Sequence, residues 1–222
     1  MKAFVAASVV SLALSSAVVA RSITVFNACP FTIWFAFWIF FCLHPLIQHI
    51  DSGGPRPSQT TGWAAPSFTK VTFTVDEGWA RRNCDFSKGT GPNTCLDGGS
   101  LGGLVCDVNA GTGVPPASLA EFNFKGPVSD FYDISFVDGY NLPLRIDNTR
   151  GCPTPACAVD LGPNSQKGPF DASGFPVGCS SACNIDALNG RAVPYAYDES
   201  SESALWTCPT PSHADYTITF CP

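Results

Sequence analysis

Four stretches of this chain alternate apolar and polar side chains with a period of two. Ile23 and Val25 alternate with Ser22 and Thr24, and Val71, Phe73 and Val75 with Lys70, Thr72 and Thr74. Ala120, Phe122 and Phe124 alternate with Glu121, Asn123 and Lys125, and Tyr216, Ile218 and Phe220 with Thr217 and Thr219. Successive side chains of a strand point to opposite faces, so this pattern describes half-buried strands rich in β-branched and aromatic residues. Turn clusters separate them at Asp97–Gly103, Asn109–Pro116 and Pro163–Gly168, and no long helical stripe intervenes. Short strands joined by Gly/Pro turns predict an all-β fold, an antiparallel sandwich or barrel.

Three segments stand outside the alternation. Residues 1–20 carry Lys2, then the apolar run Phe4–Val19, then Val18-Val19-Ala20. That order reads as a signal peptide with a small-residue cleavage site, too short for a spanning helix. Phe31–Ile50 contains no Lys, Arg, Asp or Glu. Its unbroken run Ile33–Leu43 falls short of the ~20 residues a membrane helix needs. It reads as a buried strand pair or as a segment foreign to the fold. Gly151–Gly190 is rich in Pro and holds four cysteines, a loop-rich lobe held by cross-links.

Charge narrows the partners. Without Lys2 the balance is 11 basic to 18 acidic residues, a net charge of −7. Nucleic-acid binders carry basic patches, so nucleic acid is excluded as a partner. Gly and Pro together number 39 and Cys 11, a turn-rich, disulfide-stapled composition suited to an oxidising compartment. Eleven is odd, so at least one thiol lacks an intrachain partner. Cys-X-X-Cys is absent, and His44, His49 and His213 lie away from the close cysteine pairs, so no zinc or other metal site is expected. No phosphate-binding glycine loop, Gly-X-Ser-X-Gly elbow or Asn-X-Ser/Thr sequon occurs, and no cofactor is expected.

The most informative stretch is Asp130–Pro143, DFYDISFVDGYNLP. It places Asp133 and Asp138 at the end of an aromatic strand, then turns at Gly139. Carboxylates on a rigid strand end beside aromatic rings suit carbohydrate, whose hydroxyls need acceptors. Each Asp also has a structural reading, Asp138 as a turn cap above all. Tyr132, Phe122 and Tyr140 read as core, and Asp130 and Asp147 as solvated surface.

Seven segments in order resemble the thaumatin-like proteins. They are Asn27–Trp34 (NACPFTIW), Arg82–Phe86 (RNCDF), Pro115–Phe122 (PPASLAEF), Asp130–Pro143, Gly178–Cys183 (GCSSAC), Tyr195–Asp198 (YAYD) and Asp215–Pro222 (DYTITFCP). The resemblance implies a flattened antiparallel β-sandwich with a disulfide-rich loop lobe, a smaller hairpin lobe and an acidic cleft. It implies one domain over 21–222, with 35–52 an unmatched insertion and 151–193 a shortened loop lobe. The family's cleft uses an Arg, a Glu and three Asp. Glu121 matches the Glu, and Asp133, Asp138 and Asp198 match the Asp residues. The cleft Arg of a Gly-Arg-Ile-Trp-Gly stretch has no evident match before Arg82-Asn83-Cys84, and Arg81 is the stand-in. The resemblance further implies the bridges Cys29–Cys221, Cys84–Cys95 and Cys152–Cys208. The two long-loop bridges are worth roughly 2–5 kcal/mol each. Cys42, Cys106, Cys157, Cys179 and Cys183 lack their usual partners, because Ser100 and Ser165 replace two of these and Asn184–Val193 replaces a cysteine-rich stretch. A local Cys179–Cys183 pair is one arrangement. Mispredicted splice junctions are another reading of these departures.

Family members bind β-1,3-glucans, and some hydrolyse them. The implied function is a secreted, monomeric protein of the extracellular space or cell wall that binds β-1,3-glucan or another wall polysaccharide, with weak endo-β-1,3-glucanase activity. Glu121 is then the proton donor, Asp133 the base or nucleophile, and Asp138, Asp198 and Arg81 bind substrate. The alternative is a non-catalytic carbohydrate-binding, defence-type or glycosidase-inhibitor protein.

Overall fold

A computed structural model describes residues 21–37, 62–73, 77–89, 91–97, 99, 102–105, 114–124, 128–160, 170–174, 176–180 and 205–222. The strands are β1 (Ile23–Asn27), β2 (Ile33–Phe37), β3 (Gly62–Ala65), β4 (Lys70–Phe73), β5 (Glu77–Cys84) and β6 (Cys95–Asp97). They continue as β7 (Leu119–Asn123), β8 (Ser129–Ser135), β9 (Leu144–Asn148), β10 (Ala156–Cys157), β11 (Trp206–Pro209) and β12 (Tyr216–Phe220). No α-helix occurs among the described residues.

These strands form two sheets. One runs β10-β9-β12-β1-β4. The other runs β11-β8-β7-β5-β2-β3, with β6 pairing the far end of β5. All pairings are antiparallel except β1 with β12, which run parallel from Ile23↔Tyr216 to Asn27↔Phe220. A parallel pair needs a long connection, and here nearly the whole chain supplies it. Cys29–Cys221 closes the pair just past its end. Cys84–Cys95 ties the β5–β6 hairpin, and Cys152–Cys208 ties the β9–β10 connection to β11.

The inward face of each alternating strand makes the core. Ile23, Val25, Leu144, Ile146, Ile218 and Phe220 face Ile33, Phe35, Ala120, Phe122 and Tyr132, all buried in one cluster. Ring contacts bind the layers together. Phe35 meets Trp63, Phe73 and Phe220 at centroid distances of 4.7, 6.1 and 6.0 Å. Tyr216 meets Phe122 at 5.3 Å and Tyr132 at 5.1 Å, within the range for favourable tilted and edge contacts. Tyr132, Phe122 and Tyr140 belong to the buried set.

The charge-free segment enters this core. Phe35 and Ala36, its first residues beyond the matched stretch, are fully buried in β2. Residues 38–61 lie outside the described residues, as do residues 1–20, where the sequence predicts a signal peptide.

Asp130 corrects the expectation of a solvated carboxylate. The β8 alternation that turns Tyr132 inward turns Asp130 inward too, and its side chain is 0% exposed. Arg21 holds it with two donors, Nε to Oδ2 and Nη2 to Oδ1, each at 3.0 Å. The Tyr216 hydroxyl donates to Oδ2 at 3.2 Å. A buried charge survives only when paired and hydrogen-bonded in this way. Burial, with the Asp130 charge beside it, pushes the Tyr216 phenol far above its ordinary value.

Candidate functional site

Strand alternation decides which carboxyls can meet. Phe122 and Tyr132 face inward, so Glu121 and Asp133 face outward from the larger sheet. The register sets Glu121 directly opposite Asp133, with Leu119 opposite Ser135 in the next outward row. Directly opposed side chains of an antiparallel pair have Cβ atoms ~4.5–5.5 Å apart. The two carboxyls act on each other electrostatically, with Ser135 beside them. The Val137 N–H in turn donates to Ser135 Oγ at 3.4 Å.

Glu121 is therefore not an exposed strand residue, although it points away from the core. Burial raises its carboxyl above the ordinary range, opposed by the neighbouring Ser135 and Asp133 side chains and reinforced by the Asp138 charge. Burial, then the Glu121 carboxyl opposite it, raise Asp133 from 3.8 to about 7. Asp133 Oδ1 is closed off from solvent and has no hydrogen-bond partner among the described residues. Burial also raises the Asp138 carboxyl.

Asp138 sits in the turn after β8. The turn closes through the Gly139 N–H to Phe136 O at 2.9 Å, with Gly139 at φ +94°. A Cβ there would lie 2.4 Å from the Cys179 carbonyl and 2.8 Å from Pro116 Cβ, so glycine is required by both conformation and space. The Asp138 carbonyl accepts the Ala117 N–H at 3.1 Å. Tyr140 and Cys179 exchange backbone hydrogen bonds of 2.9 and 2.7 Å. These contacts fasten the turn between the approach to β7 and the loop lobe.

A buried polar network backs the same turn. Asn141 Oδ1 accepts the Ser118 N–H at 2.9 Å, and Ser118 Oγ accepts the Asn141 N–H at 3.1 Å. Asn141 Nδ2 donates to Asp97 Oδ1 at 3.1 Å, and Arg82 Nε donates to Asp97 Oδ2 at 2.8 Å. Burial raises Asp97 from 3.8 to about 6 despite Arg82 and the hydrogen bonds, which pull the other way. Asp97 was part of a turn cluster in the sequence, and Asn141 carried no signal there.

The structure thus brings Glu121, Asp133 and Asp138 together. Arg81 is corrected from a substrate-binding residue to a buried clamp. Its side chain is 0% exposed, and it donates to the carbonyls of Trp34 at 3.1 Å, Phe35 at 3.2 Å, Leu104 at 2.8 Å and Gly103. A guanidinium spent on four backbone acceptors in the interior is not presented to a ligand. Asp198 lies outside the described residues, as do Cys42, Cys106 and Cys183. Cys157 is a half-buried free thiol, pushed up by burial.

Sequence reasoning passed over Glu77. Its register position is directly opposite Glu121, on the side away from Asp133. In the stretch Gly-Arg-Ile-Trp-Gly the Arg precedes the Trp by two positions, and two before Trp79 stands Glu77. The signal lay in counting back from Trp79 instead of forward to Arg81. A cavity of about 540 Å³ by the β5–β6 hairpin, lined by Asn83, Asp85, Asn93 and Leu96 among others, includes none of these carboxyls. Among the described residues no cluster of His, Cys, Asp and Glu could hold a metal ion. No helix among them is long and apolar enough to cross a membrane.

Comparison with known proteins gives concordant matches. A family model described as Thaumatin family matches residues 27–191. Thaumatin-like protein 1 of Arabidopsis thaliana is 32% identical, over 90% of this chain and 86% of that protein. Pathogenesis-related protein 5 of the same plant is 34% identical, over 93% of this chain and 92% of that protein. Among solved structures, the thaumatin-like xylanase inhibitor TLXI aligns with a TM-score of 0.51 at 17% identity, covering 90% of this chain and 99% of that one. At that identity the likeness speaks to the fold alone.

Proposed function

The chain belongs to the thaumatin family, and from that membership and the outward carboxyl row we propose that it is a secreted protein that binds β-1,3-glucan. The leader-like residues 1–20 and the disulfides support a place outside the cytosol, in the extracellular space or cell wall.

The observation that carries the reading is the direct opposition of Glu121 and Asp133 on the outward face of the larger sheet, with Asp138 in the turn that follows β8.

Binding is favoured over turnover. Glycoside hydrolysis needs two carboxyls about 5–5.5 Å apart for retention or about 6.5–9.5 Å for inversion. Burial raises both carboxyls and closes Asp133 Oδ1 off from solvent, so Glu121 and Asp133 are not presented as a separate acid and base on either side of a glycosidic bond. Hydrolysis would have to recruit Asp138 against the pair, and would be weak.

Retention on insoluble β-1,3-glucan, run beside reducing-sugar release from laminarin, tests this. The expected result is retention that Glu121→Gln weakens, with little or no sugar release. Brisk release lost in Glu121→Gln would make the protein a glucanase. No retention, with stoichiometric inhibition of a xylanase, would replace the glucan assignment with that of an inhibitor.

A further inference from the structure

The β8–β9 connection leaves the larger sheet for the smaller one and carries Asp138 on the way. Its path is set by a reciprocal contact with the two residues before β7. The Ala117 N–H donates to the Asp138 carbonyl at 3.1 Å, and the Ser118 N–H to Asn141 Oδ1 at 2.9 Å. In return, Ser118 Oγ accepts the N–H of Asn141 at 3.1 Å and that of Leu142 at 3.3 Å. Ser118 and Asn141 are both 0% exposed. Asn141 Nδ2 donates to Asp97 Oδ1 at 3.1 Å, and the same oxygen accepts the Arg82 N–H at 3.1 Å. The Asn141 amide can serve Ser118 and Asp97 together in one orientation only, so the carboxyl on β6 fixes which amide atom faces the start of β7.

Apolar side chains at 118 and 141 would hold the two segments together but would not fix their register. Hydrogen bonds are directional, and a buried polar group that loses its partner is penalised. The lock therefore resists sliding of the connection along β7. The sheet register carries this to the carboxyl row. Glu121 faces Asp133 and Leu119 faces Ser135, and two residues further back Ala117 bonds Asp138.

We propose that Ser118 and Asn141 are positioning residues of the glucan site, resting on the reading above, and that their lock holds the Asp138 carboxyl at the end of the Glu121–Asp133 row. Both are sealed from solvent and act through Asp138. Burial raises the Asp138 carboxyl, and its charge acts on Glu121, which agrees with a group held close against the row.

Two measurements on the whole protein test this. Ser118→Ala removes the acceptor of two backbone N–H groups, and Ser118→Cys keeps the bulk with a far weaker acceptor. The first measurement is a carboxyl carbon-13 NMR titration without ligand. Asp138 should titrate above 3.8 in the unmodified protein and fall toward that value in both variants, as the turn opens to water. Ile146→Val, in the core beneath the smaller sheet, should lower the Tm and leave Asp138 unmoved, which separates positioning from loss of stability. An ordinary Asp138 in the unmodified protein, one that neither Ser118 variant moves, or one that moves as far in Ile146→Val overturns the proposal. The second measurement is retention on insoluble β-1,3-glucan. Ser118→Ala should lose affinity, Asp138→Asn at least as much, and the double variant no more than Asp138→Asn alone. Full retention in Ser118→Ala beside a loss in Asp138→Asn, or a double loss equal to the product of the single ones, overturns action through Asp138. Full retention in Asp138→Asn overturns the place of Asp138 in the glucan site, while the lock stands or falls on the titration alone.

Discussion

Removing the Arg21 guanidinium strips a fully buried carboxylate of most of its donors. Asp130 accepts three hydrogen bonds, two from Arg21 at 3.0 Å and one from Tyr216 at 3.2 Å. Arg21→Ala leaves only the phenol. Breaking one partner of a buried ion pair costs about 3–5 kcal/mol. The Arg21 side chain is 9% exposed, so its removal opens a short path for water, and the lower end, about 3 kcal/mol, applies. Arg21 also donates to the Thr210 carbonyl at 3.0 Å, which keeps the loss from falling much below that. Against a total of about 5–15 kcal/mol for a folded domain, the fold should survive, destabilised. At about 2–4 °C per kcal/mol for a chain of this size, the Tm should fall by about 6–12 °C. Thermal unfolding followed by circular dichroism at pH 7 measures it. The companion measurement is a double-mutant cycle with Asp130→Asn, in which the double variant should lose much less than the two single losses combined. A Tm within about 2 °C of the parent for Arg21→Ala, or simple additivity in the cycle, would refute the claim that an uncompensated buried charge is the cause.

Acidification should stabilise the protein. Asp97 and Asp133 are raised in the fold from 3.8 to about 6 and about 7. Their contributions are present in full below the unfolded value and are lost as pH rises through 6 and 7. For Asp97 alone this corresponds to about 3 kcal/mol at ~1.4 kcal/mol per pH unit. The urea midpoint should be higher at pH 5 than at pH 8, and a midpoint that rises with pH would count against both assignments. Gly139→Ala must meet the Cys179 carbonyl and Pro116 at a positive φ, so a loss of about 2 kcal/mol or more and weaker glucan retention are expected by urea unfolding and pull-down. Replacing Cys29 and Cys221 by Ser opens a loop of sequence separation 192. Chain entropy puts the loss at about 5 kcal/mol, and a urea midpoint unchanged in the double variant would rule that account out.

Much of the sandwich was legible because alternation is a local property. β1, β4, β7 and β12 lie where Ile23, Val71, Phe122 and Ile218 alternate with polar neighbours. What alternation cannot say is which inward position a sheet end will leave polar. Asp130 reads like any surface Asp, and only the approach of Arg21 and Tyr216 from distant sequence makes its burial tolerable. The parallel pairing of β1 with β12 was likewise invisible, since a strand pattern carries no direction. At the candidate site, the face shared by Glu121 and Asp133 followed from their strands, whereas their direct opposition is a fact of register. Arg81 misled for a related reason. An Arg beside a cleft motif reads as a ligand-binding charge until four carbonyls are found around it.

The parallel β1–β12 pair also sets an order of events during synthesis. β12 occupies the middle of its sheet, with β9 on one side and β1 on the other. β1 leaves the ribosome long before β12, and its inner neighbour is complete only when Phe220 has been added. Until then Ile23 and Val25 have half a sheet to bury against, and β9 has no path to β1. The smaller sheet cannot close progressively from its N-terminal end. The nascent chain must carry unpaired, apolar strand edges until β12 has emerged, the state most open to aggregation and to chaperone capture.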